Sequence, residues 1–120
     1  MKSKVYFTAI KDNADVTAVS DKLRTLLQSS KVLDFIGKDQ KVAAKIHFGE
    51  EGSTGFVDPR YARIICGAIT ARGATAFLAD ANTLYKGRRT NARDHIALAH
   101  DHGFTPQATC VEIAVPDDTV

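Results

Sequence analysis

The stretch KVAAKIHFGEEGSTGFVDPRYARII, residues 41–65, decides the predicted fold of this chain. It begins with an apolar run, residues 41–48, which is typical of a buried β-strand. A glycine-containing loop follows, and Asp58 then precedes Pro59 in the pattern of a helix N-cap with proline at the first helical position. These residues predict a strand, a long loop and a helix over residues 59–72.

The same kinds of pattern lie on both sides of this stretch. Residues 4–10 form a first β-type run, and apolar residues at helical spacing predict a helix through residues 16–29. We expect the apolar stripe of that helix to pack on a sheet. Residues 75–79 indicate a short strand, residues 91–102 a third helix capped by its first residue, and residues 108–115 a last strand.

The order of these elements predicts an α/β fold. Strands alternate with helices along the whole chain, which favours a mostly parallel, Rossmann-like sheet of about four strands covered by three helices. With 120 residues, the chain has the length of one domain, so we interpret residues 1–120 as a single α/β domain.

Composition and charge argue against several classes of protein. A formal net charge of +2, without a run that mixes basic and aromatic residues, does not indicate nucleic-acid binding. The chain has no apolar stretch of the length that a membrane span or a secretion signal requires. We therefore expect a cytoplasmic protein.

The chain contains two cysteines, Cys66 and Cys110, which are far apart in the sequence. Two isolated cysteines in a cytosolic domain are typically small buried apolar residues, and that is our expectation for both. They cannot supply a four-cysteine zinc or iron-sulfur site within one chain.

Two long polar loops follow predicted strands, where parallel sheets usually bind ligands. The first loop comprises residues 47–58 and the second loop residues 80–90. Loops between strands and helices usually have about two to six residues, so we expect these two to be functional. The alternatives are that they cover the end of the sheet or dock another domain.

The first loop has groups that suit an anion and groups that oppose one. Its glycines, beginning with Gly49, allow close backbone approach, and Ser53 and Thr54 supply hydroxyl groups for a phosphate or a carboxylate. However, the glycine spacing matches no known nucleotide-binding motif, and the adjacent carboxylates of Glu50 and Glu51 would repel an anion.

A metal site is a further hypothesis for these loops. His47, Glu50 and Asp80 offer the nitrogen and oxygen donors that divalent metals bind, although their spacing is not diagnostic. His47 is also the candidate for moving a proton. The alternative is a histidine that is hydrogen-bonded to a loop carbonyl.

The second loop carries adjacent arginines, Arg88 and Arg89, whose planar side chains suit carboxylate or phosphate. Neutral hydrogen-bonding groups come from three further residues: Asn82, Thr83 and Tyr85. Alternatively, the arginines neutralise the acidic residues of the two loops. Both roles are compatible.

Four residues outside the loops have open roles. Lys45 is either an edge residue of its strand or directed at the site. His95, in the first turn of the third helix, could face the loops, whereas we expect His100 and His102 to cap carbonyls or meet solvent.

The stretches VAAKIHFGEEGSTGFVDPRYARII and GATAFLADANTLYKGRRTNARDHIALAHDHGF resemble the N-terminal part of the domain-of-unknown-function family 362, described as uncharacterised iron-sulfur centre proteins. The likeness runs from about Lys41 to Phe104, and its specific motifs are K-I-H-F-G-E and D-x-N-T-L-Y-x-G-x-R-x-N. The resemblance points to eleven residues: Lys45, His47, Gly49, Glu50, Asp80, Asn82, Thr83, Tyr85, Gly87, Arg89 and Asn91.

The resemblance also implies an α/β domain that many members combine with a ferredoxin-type segment for 4Fe-4S clusters. This chain has only two cysteines, so it holds no such cluster itself. We expect the clusters in a downstream segment of a longer protein; the alternative is a family member without one.

Three functional hypotheses result from these patterns. The first is a ligand- or partner-binding domain that holds a small anionic ligand beside a downstream ferredoxin-type segment or a redox partner. The second is a metal-assisted enzyme that uses His47 with Glu50 or Asp80. The third is a purely structural docking domain.

Overall fold

A parallel sheet with helices around it forms the fold, which a computed structural model describes for residues 1–117. Within these residues the sheet has three strands in the order β1-β2-β3. The predicted α/β class with a Rossmann-like parallel sheet is confirmed. The strands are β1 Lys41–Lys45, β2 Thr75–Ala79 and β3 Glu112–Ala114, and the helices are α1 Val16–Ser30, α2 Pro59–Thr70, α3 Ala92–Asp101 and α4 Pro106–Thr109.

The helix starts follow the capping chemistry of the sequence. The Asp58 side chain accepts a hydrogen bond from the Arg60 amide at 2.9 Å, and Pro59 is the first residue of α2, as predicted. Asn91 likewise caps α3 by accepting from the Asp94 amide at 2.9 Å. Among residues 1–117, no helix has the length and apolar character needed to cross a membrane.

The strand predicted for residues 4–10 was wrong. These residues have no regular secondary structure, and Val5 and Phe7 are largely exposed. The segment lies along α1, where the Ala9 carbonyl accepts a hydrogen bond from Lys22. A β-type run becomes a strand only where a neighbouring strand pairs with its backbone groups, and no strand within residues 1–117 pairs with this run.

The expected packing of α1 on the sheet was also wrong. Helix α1 packs against α2, and its apolar stripe is only half buried. An apolar groove with Leu27 on one side and Ile64 on the other separates parts of the two helices. Helical periodicity predicted the apolar face correctly but could not say which element covers it.

The last predicted strand, residues 108–115, is shorter than expected, since β3 begins only at Glu112. The preceding residues form α4, with Thr105 as its N-cap and Pro106 at its first position. Cys110 ends this turn with a positive φ of 62°. The capping residues therefore prevail over the β-type composition of this segment.

The core lies between the central strand β2 and the helices. Phe48 and Phe104 are fully buried and meet edge to face, with ring centroids 5.1 Å apart, and Leu78 of β2 is 1% exposed. Cys66 is buried in this core, as expected, whereas the same expectation for Cys110 was wrong because Cys110 is exposed. Phe48 directly precedes the glycine-rich part of the first loop, so the core anchors that loop.

Candidate functional site

The two long loops meet at the carboxyl end of the sheet, where their polar side chains form one hydrogen-bonded group. We call this group the Arg89 cluster. Its members are Lys45, His47, Glu50, Asp80, Asn82, Tyr85, Arg89 and His95. Seven of them were candidate site residues in the sequence, and the eighth, His95, was expected to face the loops.

Asp80 lies at the buried centre of the cluster, immediately after β2. Its carboxylate is 2.9 Å from Lys45 Nζ and 3.1 Å from Arg89 Nη2, and it accepts from the Ala81 amide at 2.9 Å. Burial opposes ionisation of Asp80, but the hydrogen bonds from Lys45 and Ala81 outweigh it and lower the pKa of the carboxyl group. Lys45 lies on an outer strand of the three described, and its ammonium group contacts Asp80.

Arg89 connects the buried centre of the cluster to its surface. The residue is 5% exposed, and its Nη2 and Nε atoms face Asp80 at 3.1 Å and His95 at 3.3 Å. Its Nη1 atom points the other way, donating to the Glu50 carboxylate and lying 3.4 Å from the Tyr85 hydroxyl. Burial would lower the pKa of Arg89, but Glu50 and Asp80 raise it, so the guanidinium stays charged.

His95 is fully buried and holds Arg89 from behind. The Asn82 amide donates to Asp117 Oδ1 at 2.7 Å, which directs Asn82 Oδ1 towards His95 Nδ1 at 3.1 Å. His95 Nε2 accepts from Arg89 Nε at 3.3 Å and also lies 3.3 Å from Asp80 Oδ2. Burial lowers the pKa of His95, in agreement with a neutral ring.

Three half-exposed side chains form the rim of the cluster. The Glu50 carboxylate accepts from the Tyr85 hydroxyl, and this hydrogen bond lowers the pKa of Glu50 and raises that of Tyr85. His47 Nδ1 accepts from the Gly49 amide at 2.9 Å. The sequence alternative was a hydrogen bond between His47 and a loop carbonyl. The partner of Nδ1 is instead the amide group of Gly49.

The proposed metal donors surround an arginine. His47 Nε2 lies 2.9 Å from Arg89 Nη1, and the Glu50 and Asp80 carboxylates bond to the same guanidinium. Within residues 1–117, no three histidine, cysteine or acidic side chains are grouped as metal ligands would be. A divalent cation at this position would have to displace a buried, doubly paired arginine.

The side chain of Arg88 points away from that of Arg89. Its Nη1 atom is 2.7 Å from Asp101 Oδ2 and 3.6 Å from Glu51 Oε1, outside the Arg89 cluster. Together, the two arginines contact Glu50, Glu51 and Asp80, as the neutralisation alternative predicted.

Four other candidate residues shape the loops or lie at their surface. Ser53 Oγ accepts from the Gly55 amide at 3.2 Å, and Thr54 is exposed. The Thr83 hydroxyl donates to the Tyr85 carbonyl at 3.2 Å, and Asn91 caps α3. The structure does not bring these side chains into the Arg89 cluster.

Two contributors were not recognised as such from the sequence. His102 was expected to cap a carbonyl, and its Nδ1 atom does lie 2.8 Å from the Phe48 carbonyl, but it also stacks on Phe56 at 4.2 Å and so holds the first loop to α3. Asp117 accepts from Asn82 and from the Ala92 amide at 3.0 Å. No local signal marks Asp117, because its partners are distant in the sequence.

A profile of the family described as Domain of unknown function (DUF362) matches residues 42–119, nearly two thirds of the chain. The chain belongs to the DUF362 family. The match includes every member of the Arg89 cluster, so the cluster is part of the DUF362 domain. No curated protein and no solved structure matches the sequence significantly.

Proposed function

We propose that this DUF362 domain is a binding module whose Arg89 cluster takes a small anionic ligand. One observation carries the proposal: Arg89 is almost completely buried, yet its Nη1 atom reaches the rim beside His47 and Tyr85. A guanidinium that Asp80 and His95 already hold loses little conformational entropy on binding an anion.

Each residue of the cluster then has a defined role. Arg89 supplies the positive charge and Tyr85 a hydrogen bond from the rim, where His47 is able to move a proton. Asp80, Lys45 and His95 position Arg89 without touching the ligand.

A substitution of Arg89 tests this function directly. We expect Arg89→Lys to weaken saturable binding of acetate or inorganic phosphate at least about tenfold in calorimetric titrations, because one ammonium group cannot contact Asp80, His95 and the ligand together. Arg88→Lys is the matched control and should change affinity by less than about twofold. Equal effects of the two variants, or no saturable binding by the unsubstituted protein, would contradict the proposal.

The wider setting that we propose is an iron-sulfur redox protein in which a downstream ferredoxin-type segment, or a redox partner, carries the 4Fe-4S clusters. The resemblance of the two loop motifs to iron-sulfur members of the family supports this setting. Electron transfer would then belong to the clusters and ligand binding to this domain. Iron and acid-labile sulfide, measured with the intact mass of the anaerobically purified native gene product, test for the downstream segment; a product with neither would contradict that segment and leave only a separate redox partner as the carrier of the clusters.

Docking of a partner at the second loop is a second candidate function. Leu84 is fully exposed at 106% and Tyr85 is 57% exposed, an unusual position for two large side chains beside a polar cluster. If this loop docks a partner domain, trypsin should cleave after Lys86 more slowly in the native gene product than in the isolated chain. Equal cleavage rates, or no effect of Leu84→Asp on the difference, would contradict docking.

A further inference from the structure

We infer that Glu50 occupies the position of the ligand's own anionic group, and that the ligand is a carboxylate monoanion that replaces the Glu50 side chain. This inference rests on the proposed function and names the chemical class of its ligand. The free form of the domain would then be closed by its own carboxylate.

The donor geometry supports a carboxylate at this position. The Glu50 carboxylate already occupies this position, beside the charged guanidinium of Arg89. His47 Nε2 lies 3.9 Å from Glu50 Oε1, and the same oxygen accepts from Arg89 Nη1 and from the Tyr85 hydroxyl. Two donors of the second loop thus meet at one carboxylate oxygen.

The Glu50 side chain is able to rotate out of the cluster while the other contacts of Arg89 remain. The side chain of Glu50 is 42% exposed and lies between Gly49 and Gly52, which both have positive φ angles, 97° and 75°. Arg89 keeps its contacts to Asp80 and His95 when Glu50 rotates away. The donors therefore remain in place for another acceptor.

The charges favour a monoanion over a dianion. With Glu50 rotated into solvent, Lys45 and Arg89 leave one positive charge uncompensated by Asp80. A carboxylate neutralises this charge, whereas a phosphoryl group carries about −1.5 to −2 at pH 7 and would leave an excess of negative charge.

A chemical-rescue experiment tests the inference. We expect the melting temperature of Glu50→Ala to rise saturably with acetate at constant ionic strength, because the acetate fills the vacated position. Its apparent affinity for acetate should exceed that of the unsubstituted protein at least about tenfold. Glu51→Ala, which removes the adjacent carboxylate, is the matched control and should respond like the unsubstituted protein.

The outcomes separate this inference from the proposed function. Phosphate binding that depends on Arg89 and exceeds acetate binding would overturn the carboxylate assignment and leave the anion site standing. Equal acetate responses of Glu50→Ala and Glu51→Ala would overturn the role of Glu50. No anion response in any variant would overturn both proposals.

The source of the carboxylate is resolved by a second probe. N-acetylglutamate methylamide represents the acidic side chain of a protein partner, while acetate represents a free small acid. Tighter binding of the first probe to Glu50→Ala would indicate a partner's side chain, and tighter binding of acetate would indicate a small acid.

Discussion

Arg88 and Arg89 are adjacent and chemically identical, yet the structure gives them different roles. The Arg89 side chain is 6% exposed inside the cluster, whereas that of Arg88 is 32% exposed and pairs with Asp101. The sequence marked both as ligand candidates because residue type alone carries no direction. The path of the second loop decides which guanidinium points inwards.

Gly49 is the residue of the first loop where a side chain is least compatible with the fold. Its φ is 97°, and an added Cβ would lie 2.6 Å from Phe56 Cδ1 and 2.7 Å from His102 Nδ1. We expect Gly49→Ala to lower the free energy of unfolding by about 2–4 kcal/mol, from positive-φ strain plus overpacking. Urea denaturation measures this change.

Gly52 supplies the control for that prediction. It also has a positive φ, 75°, but an added Cβ would have no neighbour within 4 Å. Gly52→Ala should therefore lower the free energy of unfolding only by the strain of the positive φ, about 1–2 kcal/mol. Equal losses for the two variants would show that the contacts with Phe56 and His102 do not constrain the loop.

At the scale of elements, α3 is the support for both loops. Its start is fixed by Asn91 directly after the second loop, and its buried His95 reaches Arg89. Its end contacts the first loop through His102, which lies 2.8 Å from the Phe48 carbonyl. The placement of the cluster therefore depends on where this helix begins and ends.

The Asn91 cap provides a test of that dependence. Asn91→Ala removes the acceptor for the Asp94 amide, and we expect a loss of about 1 kcal/mol in the free energy of unfolding. Asn91→Ser retains a hydrogen-bond acceptor and should therefore keep most of the stability that Asn91→Ala loses. Arg93→Ala, at an exposed position in the same turn, is the control and should change stability by less than about 0.5 kcal/mol.

At the scale of the whole molecule, the buried ionisable groups make stability depend on pH. The pKa of His95 is lowered by burial from the usual 6.5, so the unfolded chain binds a proton that the folded chain resists. The contribution of neutral His95 to the free energy of unfolding is therefore complete above pH 6.5. It decreases as the pH falls towards the pKa of His95 in the folded protein. The slope for this one proton is at most about 1.4 kcal/mol per pH unit.

Chemical denaturation between pH 7 and pH 5 measures this dependence. We expect His95→Gln to flatten the slope, whereas His100→Gln, at an exposed position, should leave it nearly unchanged. A slope that His95→Gln does not alter would contradict the assignment. Asp80 adds a separate loss at lower pH, because its contribution to stability is complete above the usual carboxyl pKa of 3.8 and is lost as the pH falls towards its lowered pKa in the folded state.

Local chemistry of the sequence determined α2, α3, β2 and the position of the two loops. Caps such as Asp58 and Asn91, and the apolar periodicity between them, act over a few neighbouring residues and need no knowledge of the rest of the fold. The class of fold followed from the order of these elements, and the family resemblance from the loop motifs was confirmed by the profile match. The interpretation of residues 1–120 as one domain of a longer iron-sulfur protein stays a prediction.

Only the tertiary structure decided the strand count within residues 1–117, the partner of α1 and the inner composition of the cluster. The contact of Glu50 with Arg89 and that of Asn82 with Asp117 join residues more than thirty positions apart. Such contacts depend on how loops and helices pack, which no local pattern encodes. The sequence therefore indicated that two polar loops follow neighbouring strands, and the packing determined that Arg89 points into the cluster between them and contacts Glu50.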